Sequence, residues 1–234
     1  MFTYAGAPGA YNLNNGAGFG LSWKDKGVSV SANYVSNEAV AGDSEFGLGK
    51  ADTVTAQVAY TASNWGAAFV YTYSNSDGQS IVAPGSTALV NFGSILPYES
   101  NNVGFSAYWQ PSEASWMPSI SAGFGYGKAN VDFTDIIGLG SADADVDLWS
   151  WMVGLQWTDV IVKGNAAGIG LGMPQWADED GAEGNFAMEF WYKFQVTDNI
   201  SVTPAFFFID NGGSGVDGVG ETTYGGLLKT TFKF

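Results

Sequence analysis

From position 186 to 196 the chain reads FAMEFWYKFQV. Phe186, Met188, Phe190, Tyr192, Phe194 and Val196 take every second place, with Ala187, Glu189, Trp191, Lys193 and Gln195 between them. Successive side chains of a β-strand point to opposite faces, so such alternation marks a strand with one apolar and one polar side. The same period runs along most of the chain, and helical spacing is almost absent. It predicts eleven strands, at 18–25, 27–35, 52–61, 64–74, 101–110, 117–128, 147–158, 160–173, 184–197, 199–210 and 223–234. Their length, about 8–14 residues, exceeds the usual strand of a soluble domain and fits one that crosses a bilayer at a tilt. Large apolar residues keep to one parity: Phe19, Leu21 and Trp23 in the first strand, Trp149, Trp151, Val153, Leu155 and Trp157 in the seventh. The tenth is less tidy, because Phe207 and Ile209 fall on the other parity.

The connections alternate as well. Short ones follow odd-numbered strands (Asp25-Lys26, Ser63, PSEASW at 111–116, Asp159, Asp198), and long ones follow even-numbered strands (36–51, 75–100, 129–146, 174–183, 211–222). Short turns at one end and long loops at the other are how membrane barrels are built, whereas sandwiches mix the two. Energy selects the face. Turning Lys193 toward lipid costs up to about 2–4 kcal/mol near the bilayer midplane, so the aromatic parity must take the hydrocarbon. Sandwich interiors are filled mainly by aliphatic side chains, but this apolar face is Trp, Tyr and Phe gathered near strand ends, as in interfacial girdles. The fold class expected is therefore all-β: an antiparallel transmembrane β-barrel whose backbone polar groups are paired within the sheet. No linker interrupts the pattern, and residues 1–234 read as one domain.

Composition narrows the chemistry. There are 33 Gly, nine Trp, eleven Tyr and sixteen Phe, but no Cys and no His, and all eight basic residues are lysine. Zinc and iron–sulfur sites, cysteine nucleophiles and Ser-His-Asp triads all lack their usual parts. The expectation is no enzyme, and the net charge of −15 with no basic stripe argues against nucleic acid as a partner. GIGLG (168–172) and GFGYG (123–127) look like fragments of nucleotide loops, but no helix follows either; glycine on one face of a strand makes room and lets the sheet curve.

Several long strings resemble the barrel of cyanobacterial outer-membrane porins with an S-layer-homology region, of the carbohydrate-selective porin family. They are FSAYWQPSEASWMPSISAGFGYG (105–127), WSWMVGLQWTDVIVKGNAAGIGLGMPQ (149–175), FAMEFWYKFQVTDNISVTPAFFF (186–208) and GGLLKTTFKF (225–234), with FTYAGAPGAYNL near the start. The resemblance implies a porin-type barrel in the outer membrane, a water-filled channel for small hydrophilic solutes and ions, sugars among them, and a homotrimer. It also implies a signal peptide, a wall-binding region and further strands upstream. Strands one and eleven both end at the short-turn side, so closing eleven strands would pair them parallel, while bacterial barrels have even strand numbers. Residues 1–17 are accordingly expected in an outer loop, with roughly five strands of a larger barrel preceding them. The terminal aromatic strand ending at Phe234 fits a recognition tag for the barrel assembly machinery, and lipid and lipopolysaccharide are the expected surroundings.

The expected lumen-facing residues are Lys24, Gln57, Tyr108, Gln156, Lys163, Glu189, Trp191, Lys193, Lys229 and Lys233; the expected lipid-facing girdle is Trp23, Trp65, Trp149, Trp157, Phe190, Tyr192, Phe232 and Phe234. The lysines gather toward the short turns and most acids toward the long loops. That is either a two-stage ion filter or solvated loops with interfacial lysines, and both readings stand. Tyr108 and Trp191 would stack sugars or merely fill space. DADVD (143–147) looks like a calcium loop that lacks the glycine and the final glutamate. DEDGAEG offers Asp178, Glu179, Asp180 and Glu183 as weak ligands for loosely held Ca²⁺. Otherwise no cofactor is expected. The rival functions are a structural or adhesive barrel tethering membrane to wall, and an uptake channel for iron or another metal.

Overall fold

A computed structural model describes residues 17–36, 52–75, 98–112, 116–132, 143–177, 186–210 and 222–233. Eleven strands are present among them: β1 (Ala17–Asp25), β2 (Val28–Ser36), β3 (Asp52–Thr61), β4 (Trp65–Asn75), β5 (Tyr98–Trp109), β6 (Ser119–Asp132), β7 (Asp143–Thr158), β8 (Ala166–Ala177), β9 (Ala187–Thr197), β10 (Ile200–Ile209) and β11 (Thr223–Phe232). They form one sheet in sequence order, every neighbour antiparallel. β1 and β11 are its edges and do not pair with each other.

The polar parity is continuous from edge to edge. Ser31 is registered on Gln57, Gln57 on Val70, Val70 on Gly104 and Gly104 on Gly125. Farther on, Gly154 meets Gly170, Gly170 meets Glu189 and Glu189 meets Phe207. A slip of one residue anywhere would send the following strands' aromatics to the wrong side. Two irregularities occur, at Trp149/Trp151 opposite β8 and at Ile200/Ser201 opposite β9, and β-bulges of this kind bend a strand locally.

Sidedness is the reverse of a soluble sheet. Thr53, Thr55, Thr72, Ser100, Asn102 and Ser150 are buried, and so are Val70, Ala129, Val146, Leu148 and Ala187 on the same parity. Thr55 and Thr72 pair through their hydroxyls at 3.0 Å, and Asn102 donates to the Ser100 hydroxyl at 3.1 Å, so these four are satisfied within the face, whereas the buried Ser150 hydroxyl has no partner among the described residues. The opposite parity leaves Phe19, Trp23, Phe69, Phe105, Phe124, Phe190 and Phe206 exposed, Phe19 to 69 %. A single sheet with its aromatics outward is not a sandwich.

Several boundaries differ from the sequence reading. The first turn is Lys26-Gly27 rather than Asp25-Lys26, with φ of 46° and 86° at its two residues. That is the two-residue hairpin turn with two positive φ values, which suits the twist of the flanking strands. β8 begins at Ala166 and not near 160, because residues 159–165 turn, with positive φ at Asp159, Ile161 and Gly164. The β-branched run Val160-Ile161-Val162 imitates a strand there. Conversely, β7 starts at Asp143, so DADVD is extended strand and not a calcium loop. Its Asp145 lies 2.8 Å from Lys128 and accepts from Asn130 at 3.0 Å, while Asp147 accepts from the Tyr126 hydroxyl at 2.8 Å.

Candidate functional site

Glycine shapes the polar face. Opposite Tyr108 stands Gly66, and a Cβ there would lie 2.6 Å from the Tyr108 ring. Opposite Trp191 stands Gly168, where a Cβ would collide with the indole. Each ring therefore occupies the space that a side chain on the facing glycine would take. The glycines, read in the sequence as room for curvature, are also seats for two aromatic plates.

Between these rings lies a recess of about 330 Å³, open to one side. Tyr108 of β5 and Gln110 just beyond its end bound it, with Ser121 at β6, Gly154 and Gln156 at β7, Gly170 at β8, and Glu189 and Trp191 at β9. Four of the residues expected on the lumen side, Tyr108, Gln156, Glu189 and Trp191, are thus brought together across five strands. Each comes from a different strand or from a place two residues away along one strand, and register alone aligns them. Ser121 contributes a hydroxyl aimed at the Gly154 carbonyl at 3.5 Å and was not singled out by sequence.

The lysines are placed differently. Lys229 is registered on Thr203 of β10. Thr203 falls between Val202 and Ala205, which meet Phe194 and Trp191 of β9, so Lys193 and Lys229 flank it on one face. Two interstrand steps put their backbones about 10 Å apart. Lys24 sits at the far edge of the sheet on β1, registered on Ser29, and Gln57 lies on the same face two strands further in. Lys233 follows the end of β11, its backbone N–H donating to Asn199 at 2.9 Å. Lys163 was expected on a strand and lies instead in the 159–165 turn, exposed. Among the described residues the structure gathers a lysine pair, with the other lysines dispersed.

On the aromatic face, Trp23, Trp65, Phe190 and Phe232 are exposed and Trp149 packs 4.6 Å from the Tyr126 ring. Trp157 donates its indole N–H to the Trp116 carbonyl at 3.1 Å. Tyr192, expected as a plain girdle residue, donates its hydroxyl to the Val160 carbonyl at 2.8 Å and accepts from Asn165 at 3.0 Å. Nothing in the strand pattern points to that network, since its partners lie in the turn the alternation concealed. Phe234 and the candidate calcium ligands Asp178, Glu179, Asp180 and Glu183 lie outside the described residues. Among the described residues no group of three His, Cys, Asp or Glu is arranged to hold a metal.

One antiparallel sheet with aromatics on one face and glycine, serine and threonine on the other has the pattern of a membrane β-barrel wall. The model of the carbohydrate-selective porin, OprB family, matches residues 4–234. The chain belongs to that family. Porins are channels and not catalysts, in keeping with the residues absent here. This porin chain is 32 % identical over 178 residues to an uncharacterized protein of Nostoc sp., covering 72 % of this chain and 29 % of that one. It is 28 % identical over 241 residues to an uncharacterized protein of Synechocystis sp., covering 94 % of this chain and 43 % of that one. The chain therefore spans less than half the length of either relative. Its fold is similar to a porin refined at 1.8 Å, with a TM-score of 0.59 and 14 % identity over 92 % of this chain and 60 % of that one. It is also similar to an anion-selective porin from Comamonas acidovorans, with a TM-score of 0.63 and 12 % identity over 99 % and 64 %.

Proposed function

We propose that this porin segment forms most of the wall of a water-filled channel in a bacterial outer membrane, through which small hydrophilic solutes diffuse. The observation that carries the reading is the inverted sidedness: one continuous sheet with serine, threonine and glycine sheltered and phenylalanine and tryptophan exposed. Hydrocarbon is the solvent that makes such a wall stable, and water fills the other side.

The recess between Tyr108 and Trp191 is a contact point for a sugar. A pyranose ring has an apolar C–H face that stacks on an aromatic plate, and its hydroxyls need the amide and carboxylate donors and acceptors that Gln156, Gln110 and Glu189 bring. The Lys193–Lys229 pair biases inorganic ions in favour of anions. Membership of the carbohydrate-selective porins supports the sugar, and the two rings at the edges of the recess support the place.

The channel is the complete barrel of a longer chain. The two sheet edges expose unpaired strands, and an odd number of further strands must lie between β11 and β1 for every pair to be antiparallel. A homotrimer surrounded by lipopolysaccharide is the assembled state that the resemblance implies. The test is conductance of the full-length protein in a planar bilayer with a titration of neutral oligosaccharides. Stepwise channels with current noise or partial block by sugar are expected. A protein that inserts without conducting would overturn the channel and favour a tethering barrel.

A further inference from the structure

The turn between β7 and β8 holds apolar side chains in the open. Ile161 is 89 % exposed and Val162 58 %, and Ile161 has φ of 64°. A β-branched residue in left-handed backbone is a genuine outlier that persists only where surrounding contacts impose it. Here they do. The Gly164 N–H donates to the Asp159 carboxylate at 2.7 Å and the Asn165 N–H to the Val162 carbonyl at 3.1 Å. Tyr192 holds the Val160 carbonyl at 2.8 Å, and buried Asn165 accepts from the Gln195 N–H at 2.9 Å. Of the other short connections at this end, Lys26-Gly27, Ser63-Asn64 and Asp198-Asn199 are polar, while the one between β5 and β6 exposes Trp116 and Met117. Among the described residues, this turn holds an isoleucine and a valine in the open on a hydrogen-bonded backbone.

Its attachment shows what it displays them to. Tyr192 belongs to the aromatic face, its ring 4.5 Å from Phe194, so the turn is fastened on the lipid side of the wall. Beside it Trp157, of the same face, fixes the backbone of Trp116, itself 85 % exposed. Trp116, Ile161 and Val162 thus continue the apolar face past the ends of β6, β7 and β8. Lys163, exposed, comes next in the chain.

We propose that residues 159–165 are a membrane anchor, in which Ile161 and Val162 enter the headgroup–acyl boundary of the leaflet at the short-turn end and Lys163 meets the phosphate of an anionic phospholipid. The proposal rests on the channel reading, because it extends that reading's lipid face. Apolar tips beside a lysine are the usual composition of interfacial anchors, since the long side chain lets its charge reach the headgroup.

Residues 1–234 contain no cysteine, so in the complete protein, with any cysteine elsewhere replaced by serine, single cysteines report single places. Ile161→Cys, Val153→Cys and Ser63→Cys are labelled with bimane in the complete protein, reconstituted in phosphatidylethanolamine–phosphatidylglycerol vesicles containing a doxyl-labelled lipid. Val153 lies on the aromatic face in mid-strand and Ser63 in a polar turn at the same end. The expected result is quenching at position 161 within about two-fold of that at 153 and roughly three-fold or more above that at 63. Quenching at 161 no greater than at 63, with 153 still quenched, overturns the anchor and leaves the channel standing. If 153 is unquenched too, the lipid face itself is refuted and the anchor falls with it. In a second arm, Lys163→Gln is expected to lower the phosphatidylglycerol retained per protein in native mass spectrometry about two-fold or more; unchanged retention refutes the headgroup contact.

Discussion

Trp191 and Gly168 make one unit, because the indole can lie against the wall only while its neighbour lacks a side chain. Gly168→Val should lift the ring into the bore: sugar-induced block should weaken, and single-channel conductance should fall by a measurable fraction without loss of the folded barrel. Trp191→Ala removes the plate itself. Aromatic stacking of this kind contributes about 0.5–1.5 kcal/mol, so the sugar concentration giving half-block should rise roughly 2–10-fold, read by current noise analysis. Trp191→Phe should recover most of it. Equal block in wild type and Trp191→Ala would reduce the indole to a space filler. Parity puts Trp191 and Tyr108 on the same side of the sheet, where both line one recess. Their seats on Gly168 and Gly66 depend on which strand lies beside which and in what register, and no local pattern carries that.

Strands set the next level of argument. Phe69, Phe105 and Phe124 lie side by side across β4, β5 and β6 on the exposed face. Phe105→Lys should cost about 2–4 kcal/mol if the row is near the bilayer centre, whereas Ser106→Lys, one residue on and facing the bore, should be nearly neutral. Urea titration of the reconstituted barrel would read the difference, and similar losses at both positions would contradict the sidedness. Across β9 to β11, Lys193→Glu with Lys229→Glu should move the reversal potential in a salt gradient toward cation selectivity. An unmoved potential would mean that the pair is too far from the narrowest part to matter. At the β1–β2 hairpin, Gly27 has φ of 86° and a Cβ there would lie 2.5 Å from the Thr61 carbonyl oxygen. Gly27→Val should therefore destabilise by roughly 1–3 kcal/mol, seen as a lower urea midpoint. Strand existence was legible from period-2 alternation alone. Strand ends were not, because the β-branched run Val160-Ile161-Val162 reads as strand while it lies in a turn, and the acid-rich Asp143–Asp147 reads as loop while it lies in β7.

For the whole molecule, the decisive property is an open sheet with two edges. Exposed edges carry unpaired backbone groups that cannot remain so in hydrocarbon. Residues 1–234 expressed alone should accordingly fail to give the heat-modifiable, denaturant-resistant species in gel electrophoresis that the full-length protein gives. A stable, conducting barrel from this segment alone would show that β1 and β11 can be bridged by two copies or by parallel pairing. The coverage of the solved porins, which extends over 60 % and 64 % of their chains, fits a wall that needs further strands.

By itself the sequence determined that the regular structure is β-strand, that one parity is aromatic and the other small and polar, and that the aromatic parity must face hydrocarbon. These follow from local alternation and from the free energy of moving charge into lipid, neither of which needs a fold. Only the tertiary structure decided that Tyr108, Gln156, Glu189 and Trp191 share one recess, that Lys193 and Lys229 stand across Thr203 while Lys24 stands far off, and that Tyr192 ties down a strained turn. Those are matters of register between strands distant in sequence, and register is fixed by the sum of all cross-strand pairs, not by any one strand.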